Sequence, residues 1–305
     1  MQALVTGGAG FIGSHLARQL HAAGHDVTVL DDLSTGQWTT LPADIAFIEG
    51  DVREHTTASD VLADYDVIYH LAALVSVPAS IERPSESHAI NVVGTLRILD
   101  AARAHDTRVI LASSAAIYGH PQYTPIDEAH PTNPTSPYGV DKLAADHYTR
   151  LYHDLYDLDT VSIRPFNVYG PGQSSDGYAG VVTTFIEQAL AGNDLTVHGD
   201  GSQSRDFVYV DDVVNTMLAA GDTEHVGQSF NIATGEAISI RELAETIQEL
   251  TDTDSDIVHV EGREGDIEHS VADIGKARRE LGFESEVGME EGLEKTIEWY
   301  RCNNR

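Results

Sequence analysis

Short apolar runs and stretches of helical period alternate along this chain. Ala3-Leu4-Val5, Val27-Thr28-Val29-Leu30, the segment near Ile45 to Ile48, Val67 to Ala73 and Arg108 to Ser114 read as strands. Between them lie an amphipathic helix opening at Gly13, a short helix after Gly50-Asp51-Val52-Arg53 and a long helix around Ala89 to Ala104. Pro137 starts a further helix that runs to about Leu155, proline being pre-organised for a first helical position. Strand alternating with helix in this way predicts an α/β fold built on a doubly wound parallel sheet. Ligands in such sheets collect at the carboxyl ends of the strands, where Asp51, Ala72, Ala73 and Ser114 stand.

The first strand runs straight into Thr6-Gly7-Gly8-Ala9-Gly10-Phe11-Ile12-Gly13. Gly7, Gly10 and Gly13 have the spacing at which backbone turns tightly, approaches a pyrophosphate and lets a helix pack on a strand, the mark of a Rossmann-type dinucleotide site. The next strand ends in Asp31. An acid there accepts from ribose hydroxyls and repels a 2′-phosphate, which favours NAD over NADP. Asp32, its neighbour, leaves open which carboxylate does this.

Tyr138 and Lys142 are four residues apart at the start of a helix and so share one face. A nearby cation favours phenolate over phenol, which lets a tyrosine act as a base near neutral pH. The pattern is common on helix surfaces, and its weight comes from the dinucleotide turn that precedes it.

Composition narrows the field. Among 305 residues there are 49 acids against 18 bases, a formal net charge of −31, and the lysines are Lys142, Lys276 and Lys295. Nucleic acid and anionic membrane both need positive charge, so neither is expected as a partner. The acids are spread along the whole chain, which points to a halophile's salt-adapted surface in which counterions screen the self-repulsion. One cysteine, Cys302, fits a reducing cytoplasm, and neither a signal segment nor a long apolar run is present. His21 and His25 have helical spacing but no third ligand, and no metal site is expected.

The ordered set Thr6 to Gly13, His70-Leu71-Ala72-Ala73, Ser113-Ser114-Ala115-Ala116-Ile117-Tyr118-Gly119 and Tyr138-x-x-x-Lys142 resembles the extended short-chain dehydrogenase/reductases, and within them the UDP-glucose 4-epimerase-like enzymes. The likeness continues through Arg164-Pro165-Phe166-Asn167-Val168-Tyr169-Gly170, Gly199 to Phe207 and Arg263-Glu264-Gly265-Asp266. It implies an NAD-binding domain over residues 1–166 and a substrate lobe over 167–305, some segments of which return to the sheet. It also implies NAD held by Gly7, Gly10, Phe11, Ile12, Gly13, Asp31, Asp51, Val52, Ala72, Ala73, Asn91, Tyr138 and Lys142. Asn91 could equally brace its helix.

The same resemblance implies that Tyr138 takes the proton of a sugar 4-hydroxyl as hydride leaves C4, that Ser114 bonds that oxygen, and that Lys142 holds the nicotinamide ribose. A nucleotide sugar, UDP-linked, would lie on Asn167, Arg205, Arg263 and Asp266, with Ser270, or His269 after a one-residue slip, beside the sugar's C2 substituent. Ser270 would leave room for an N-acetyl group. Family dehydratases carry an Asp-Glu pair after the active-site serine and decarboxylases a Glu. Ala115-Ala116 stands there instead, so 4-epimerisation is favoured, with 4-reductase, dehydratase or a non-catalytic NAD-binding regulator as alternatives. The helices Ala89 to Ala104 and Tyr138 to Leu155 would form a homodimer's four-helix bundle.

Overall fold

The structure is a computed structural model that describes residues 1–54, 65–173, 180–262 and 265–303. Its strands are β1 (Gln2–Thr6), β2 (Asp26–Asp31), β3 (Ala46–Glu49), β4 (Val67–His70), β5 (Arg108–Ala112), β6 (Thr160–Pro165), β7 (Asn167–Tyr169), β8 (Leu195–His198), β9 (Ser204–Arg205), β10 (Phe207–Tyr209), β11 (Gln228–Ile232), β12 (Ile238–Ser239), β13 (Ile257–Val260) and β14 (His269–Ser270). The helices are α1 (Phe11–Ala22), α2 (Val77–Glu82), α3 (Pro84–His88), α4 (Gly94–His105), α5 (Pro137–Tyr156), α6 (Val181–Leu190), α7 (Val210–Asp222), α8 (Ile240–Thr251), α9 (Gly275–Leu281) and α10 (Met289–Asn303).

Seven strands form one parallel sheet in the order β11-β6-β5-β4-β1-β2-β3. Successive side chains of a strand face opposite ways, so a sheet covered on both sides needs strands apolar at every position. In β1, Ala3 and Val5 join the larger core with α1 and α7, and Leu4 joins a second core with Ile98 and Leu99 of α4. The later residues contribute β11 to this sheet's edge and build the smaller pairings β7 with β10, β8 with β13, and β9 between β12 and β14.

Element ends follow local chemistry. Ser136 caps α5 through Gly139 N at 3.1 Å with Pro137 in the first turn, and Asp157 closes the helix in the left-handed region at φ 59. The expected helix over Ala89 to Ala104 is α4 preceded by a π turn over Ala89–Val93, a widened turn of the kind found at functional sites. The short helix expected after Arg53 lies outside the described residues, as does Arg263. Among the described residues no helix is long and apolar enough to cross a membrane.

Candidate active site

The glycine-rich turn is packed to backbone contact. Gly7 has φ 69, and a Cβ there would lie 2.6 Å from Ala72 N; a Cβ on Gly13 would lie 2.2 Å from Gly7 O. Neither space admits a side chain, so the turn, the end of β4 and the start of α1 approach as only glycine allows. Gly10 caps α1 without any side-chain bond to the first-turn amides. Those amides, from Phe11 onward, form the positive end of a helix dipole and fit a pyrophosphate.

Asp31 closes β2 and is 8% exposed. It accepts from Ala9 N and Leu33 N, both at 2.9 Å, so it braces the turn. Burial raises its pKa, against the pull of those two backbone bonds. Asp32 instead accepts from Ser34 N and Oγ on the surface, so of the two carboxylates only Asp31 contacts the glycine-rich turn. Asp51 is gripped by the Arg53 guanidinium, which lowers its pKa, and Val52 is buried against Gly94.

Beneath the turn runs a buried chain of hydrogen bonds. Thr95 Oγ1 donates to Asn91 O (2.7 Å) and so accepts from His70 Nε2 (3.0 Å), which leaves Nδ1 to accept from Thr6 Oγ1 (2.7 Å). That tautomer is assigned from the network. Thr6 Oγ1 in turn accepts from Ala72 N at 3.3 Å. Burial, with the Lys142 charge second, lowers the His70 pKa to about 3, so the ring is neutral. Asn91 bonds both backbone polar groups of Leu74: Oδ1 accepts from Leu74 N at 2.8 Å and Nδ2 donates to Leu74 O at 3.0 Å. It therefore braces the segment after Ala72-Ala73.

The three residues expected to do chemistry are brought together by two contacts. Lys142 Nζ donates to Ala112 O at 2.8 Å, tying α5 to the end of β5, and lies 6.0 Å from the Tyr138 ring centre. Gly139 sits where a Cβ would be 2.8 Å from Ala116 O, so the first turn of α5 lies directly on the Ala115–Ile117 turn that Ser114 caps. Ser114 Oγ accepts from Ala116 N at 3.2 Å, which leaves its own proton to donate. Burial lowers the Lys142 pKa to about 8, against the opposing charge of Asp141. The buried Ser113 hydroxyl has no hydrogen-bond partner among the described residues. A buried ammonium and a buried hydroxyl with donors to spare, below a turn open to phosphate, fit NAD.

On the other side of the sheet's carboxyl edge, Asn167 Nδ2 donates to Asp206 O at 3.0 Å. Arg205 donates to Ser204 O (2.8 Å), Ile267 O (2.6 Å) and the carboxylate of Asp266, so two expected substrate residues form one ion pair. Strand pairing sets Ser270 beside Arg205 and buries it at 8% exposed, while His269 faces out and bonds Ser204 Oγ at 3.0 Å. The register therefore selects Ser270 over His269 as the inward residue.

Sequence reasoning passed over Thr6, His70, Thr95 and Asp141, although Thr6, His70 and Asp141 stand inside motifs already singled out. A histidine or aspartate in an apolar strand or on an apolar helix face was the available signal.

The profile of the NAD dependent epimerase/dehydratase family matches residues 3–233. A UDP-glucose 4-epimerase of Mycolicibacterium smegmatis is 41% identical over 310 residues, covering 99% of each chain. A UDP-N-acetyl-alpha-D-glucosaminuronate decarboxylase of Bacillus cytotoxicus is 36% identical over 314 residues, covering 98% of this chain and 97% of the other. The crystal structure of UDP-glucose 4-epimerase with UDP-glucose from Thermotoga maritima superposes with a TM-score of 0.97 at 35% identity, covering 100% of both chains. The chain belongs to the NAD-dependent epimerase/dehydratase family of extended short-chain dehydrogenase/reductases, and its cofactor is NAD.

Proposed function

We propose that this protein interconverts the C4 epimers of a UDP-linked hexose, UDP-glucose and UDP-galactose, and accepts the N-acetylated sugars. The observation that carries the reading is the turn beside Ser114, where Ala115 and Ala116 present methyl groups. Elimination and decarboxylation need a further acid or base at the sugar, and this turn offers none.

NAD, when bound, supplies reversible hydride chemistry at the sugar's C4. Tyr138 takes the proton of the 4-hydroxyl as that carbon is oxidised and returns it after the keto sugar has turned in the site. Ser114 donates its uncommitted proton to the same oxygen. Lys142, anchored on Ala112 O, keeps two N–H donors for the ribose and places a positive charge beside the tyrosine. Arg205, held by Ser204, Ile267 and Asp266, brings a positive charge to a diphosphate, with Arg263, Asn167 and Asp266 completing the nucleotide site. Residues 1–166 serve the cofactor and 167–305 mainly the sugar nucleotide, except that β11 joins the cofactor sheet.

Exposed Val140, Tyr148, Leu151 and Leu155 recur along one stripe of α5, which supports a homodimer through α4 and α5. A monomer by sedimentation in molar KCl would remove that part.

The deciding experiment incubates purified protein in molar KCl with UDP-glucose, and separately UDP-N-acetylglucosamine, without added cofactor, and resolves the products by NMR. The galacto epimers are expected from both. Release of carbon dioxide from UDP-glucuronate, or a stable 4-keto-6-deoxy product, with no epimer, would replace the reading with decarboxylation or dehydration.

A further inference from the structure

His15 stands two residues past the last glycine of the cofactor turn, on α1, yet its ring reaches the opposite half of the molecule. Nε2 lies 2.8 Å from Pro171 O and Nδ1 lies 3.2 Å from Asp211 Oδ1. The side chain is 14% exposed, and the ring packs on the Phe11 ring at 5.9 Å and 85°. Pro171 belongs to the loop leaving β7, the strand that carries Asn167, and Asp211 opens α7.

Both partners only accept. A backbone carbonyl has no proton to give, and neither has an ionised carboxylate, whereas a neutral imidazole has one donor and one acceptor. The contact is therefore fully bonded only when both ring nitrogens carry protons. Other buried histidines do not share this arrangement. His70 donates from one nitrogen and accepts at the other, and His130 faces Pro131 O with Nδ1 (2.8 Å) while Nε2 accepts from Gln122 N (2.9 Å).

The loop that His15 reaches is built on permissive backbone: Gly170 has φ 151 and Gly172 φ 86. Past it, Gln173 bonds Val168 O, receives Thr183 Oγ1 and accepts the Tyr300 hydroxyl on its carbonyl, so one end of the loop is anchored to the lobe. His15 anchors the other to the cofactor helix. The charged groups around the contact are Asp211 itself, Arg18 from α1 and Lys295 from α10, both of which feel the Asp211 charge; the next residue, Asp212, is turned away onto Ser285 and Glu286 N.

We propose that doubly protonated His15 is a positioning residue: it clasps the 170–173 loop and the start of α7 to the cofactor helix and so fixes the nucleotide sugar's approach to the nicotinamide. The functional half of this rests on the nucleotide-sugar reading above. The clasp itself does not.

Three proteins test it: the parent, His15→Ala and Asp211→Asn. An asparagine amide donates to Nδ1 of a neutral ring, so Asp211→Asn closes the clasp without the second proton. At one fixed pH near 7, KM for UDP-glucose is expected to rise about tenfold in His15→Ala, the loss of one charge-assisted bond, with kcat changing less, and to stay within about twofold of the parent in Asp211→Asn. A parent-like KM in His15→Ala, or a kcat that falls as far as KM rises, overturns the proposal. Ring 15N spectra give an answer that needs no turnover: the parent shows two bonded ring N–H protons on His15, and Asp211→Asn shows one. If no nucleotide sugar reacts yet the spectra behave so, the clasp stands and the substrate reading fails. If the parent shows a single ring N–H, the clasp fails whatever the substrate.

Discussion

Arg164 and Lys142 are both buried cations, 3% and 5% exposed, and the chain treats them in opposite ways. Arg164, on β6, gives Nε and Nη2 to the two oxygens of Asp146 (2.9 and 2.7 Å) and Nη1 to the Tyr118 hydroxyl (2.9 Å) and Glu128 O (3.3 Å). Asp146 also accepts from Ser162 Oγ at 2.6 Å. Burial alone would raise the Asp146 pKa, but the Arg164 fork holds it down to about 2 and its own pKa rises in return. Lys142 has a peptide carbonyl in place of a carboxylate, and burial brings it down to about 8. A cation forked onto a carboxylate locks β6 to α5; one bonded to a single carbonyl at the end of β5 keeps donors that the proposed function gives to the cofactor.

Replacing each cation with methionine separates the two roles most sharply. Arg164→Met takes the two-pronged partner from the buried Asp146 carboxylate and leaves it with Ser162 and a single bond from Arg150 Nε (3.1 Å), and a loss of about 3 kcal/mol in urea unfolding is expected. Lys142→Met removes a desolvation penalty, so unfolding stability holds or rises by about 1–3 kcal/mol while kcat falls by roughly 10²–10⁴. Equal losses of stability in the two variants would erase the distinction.

Titration gives the next largest effect, and its two readouts have opposite signs. Lys142 loses its proton near pH 8 in the folded apoprotein and near 10.4 when unfolded, so in that window the unfolded chain binds more protons and this group's contribution makes stability rise with pH. If the ammonium holds the nicotinamide ribose, as proposed, NAD affinity falls over the same window. Affinity measured by fluorescence that stays level to pH 10 would mean that Lys142 does not hold the cofactor.

The contrast between these cations was only half legible in the sequence. The glycine turn and the Tyr138–Lys142 pair were readable because their geometry is local: a left-handed Gly7, a close Gly13 and one helical turn. Arg164 and Asp206 were equally visible inside motifs, but their work is done by partners far along the chain. Asp146 lies 18 residues from Arg164, while Asp206 accepts from Thr234, Gly235 and Ala272, the last 66 residues away. The choice between His269 and Ser270 likewise needed the pairing of β14 with β9, since one residue of slip exchanges the faces.

Salt distinguishes buried charge from surface charge. Each of the three lysines has a partner within the protein: Lys142 has Ala112 O, Lys276 has Ser229 O and the Phe230 ring at 4.6 Å, and Lys295 has Glu291 at 2.7 Å. The excess of 49 acids over 18 bases is left to counterions. Melting temperature is expected to rise by more than about 5 °C between low and molar KCl, with the Arg164→Met deficit unchanged, because a buried pair is screened little. A melting temperature insensitive to KCl would count against a salt-adapted surface.

Asp141 supplies the finest test. It is 3% exposed, accepts from Ser87 Oγ at 2.6 Å, lies 3.0 Å from His88 Nδ1, and is the charge that opposes the downward shift of Lys142. Asp141→Asn keeps the shape and a hydrogen bond to Ser87 while removing the charge. With that opposition gone, burial acts on Lys142 alone, and the alkaline loss of NAD affinity should move to lower pH by less than about one unit. A shift to higher pH would show that the ammonium draws its support from elsewhere. No shift at all would show that Ser87 and His88 already neutralise Asp141, leaving Lys142 dependent on its ligand for a counter-charge.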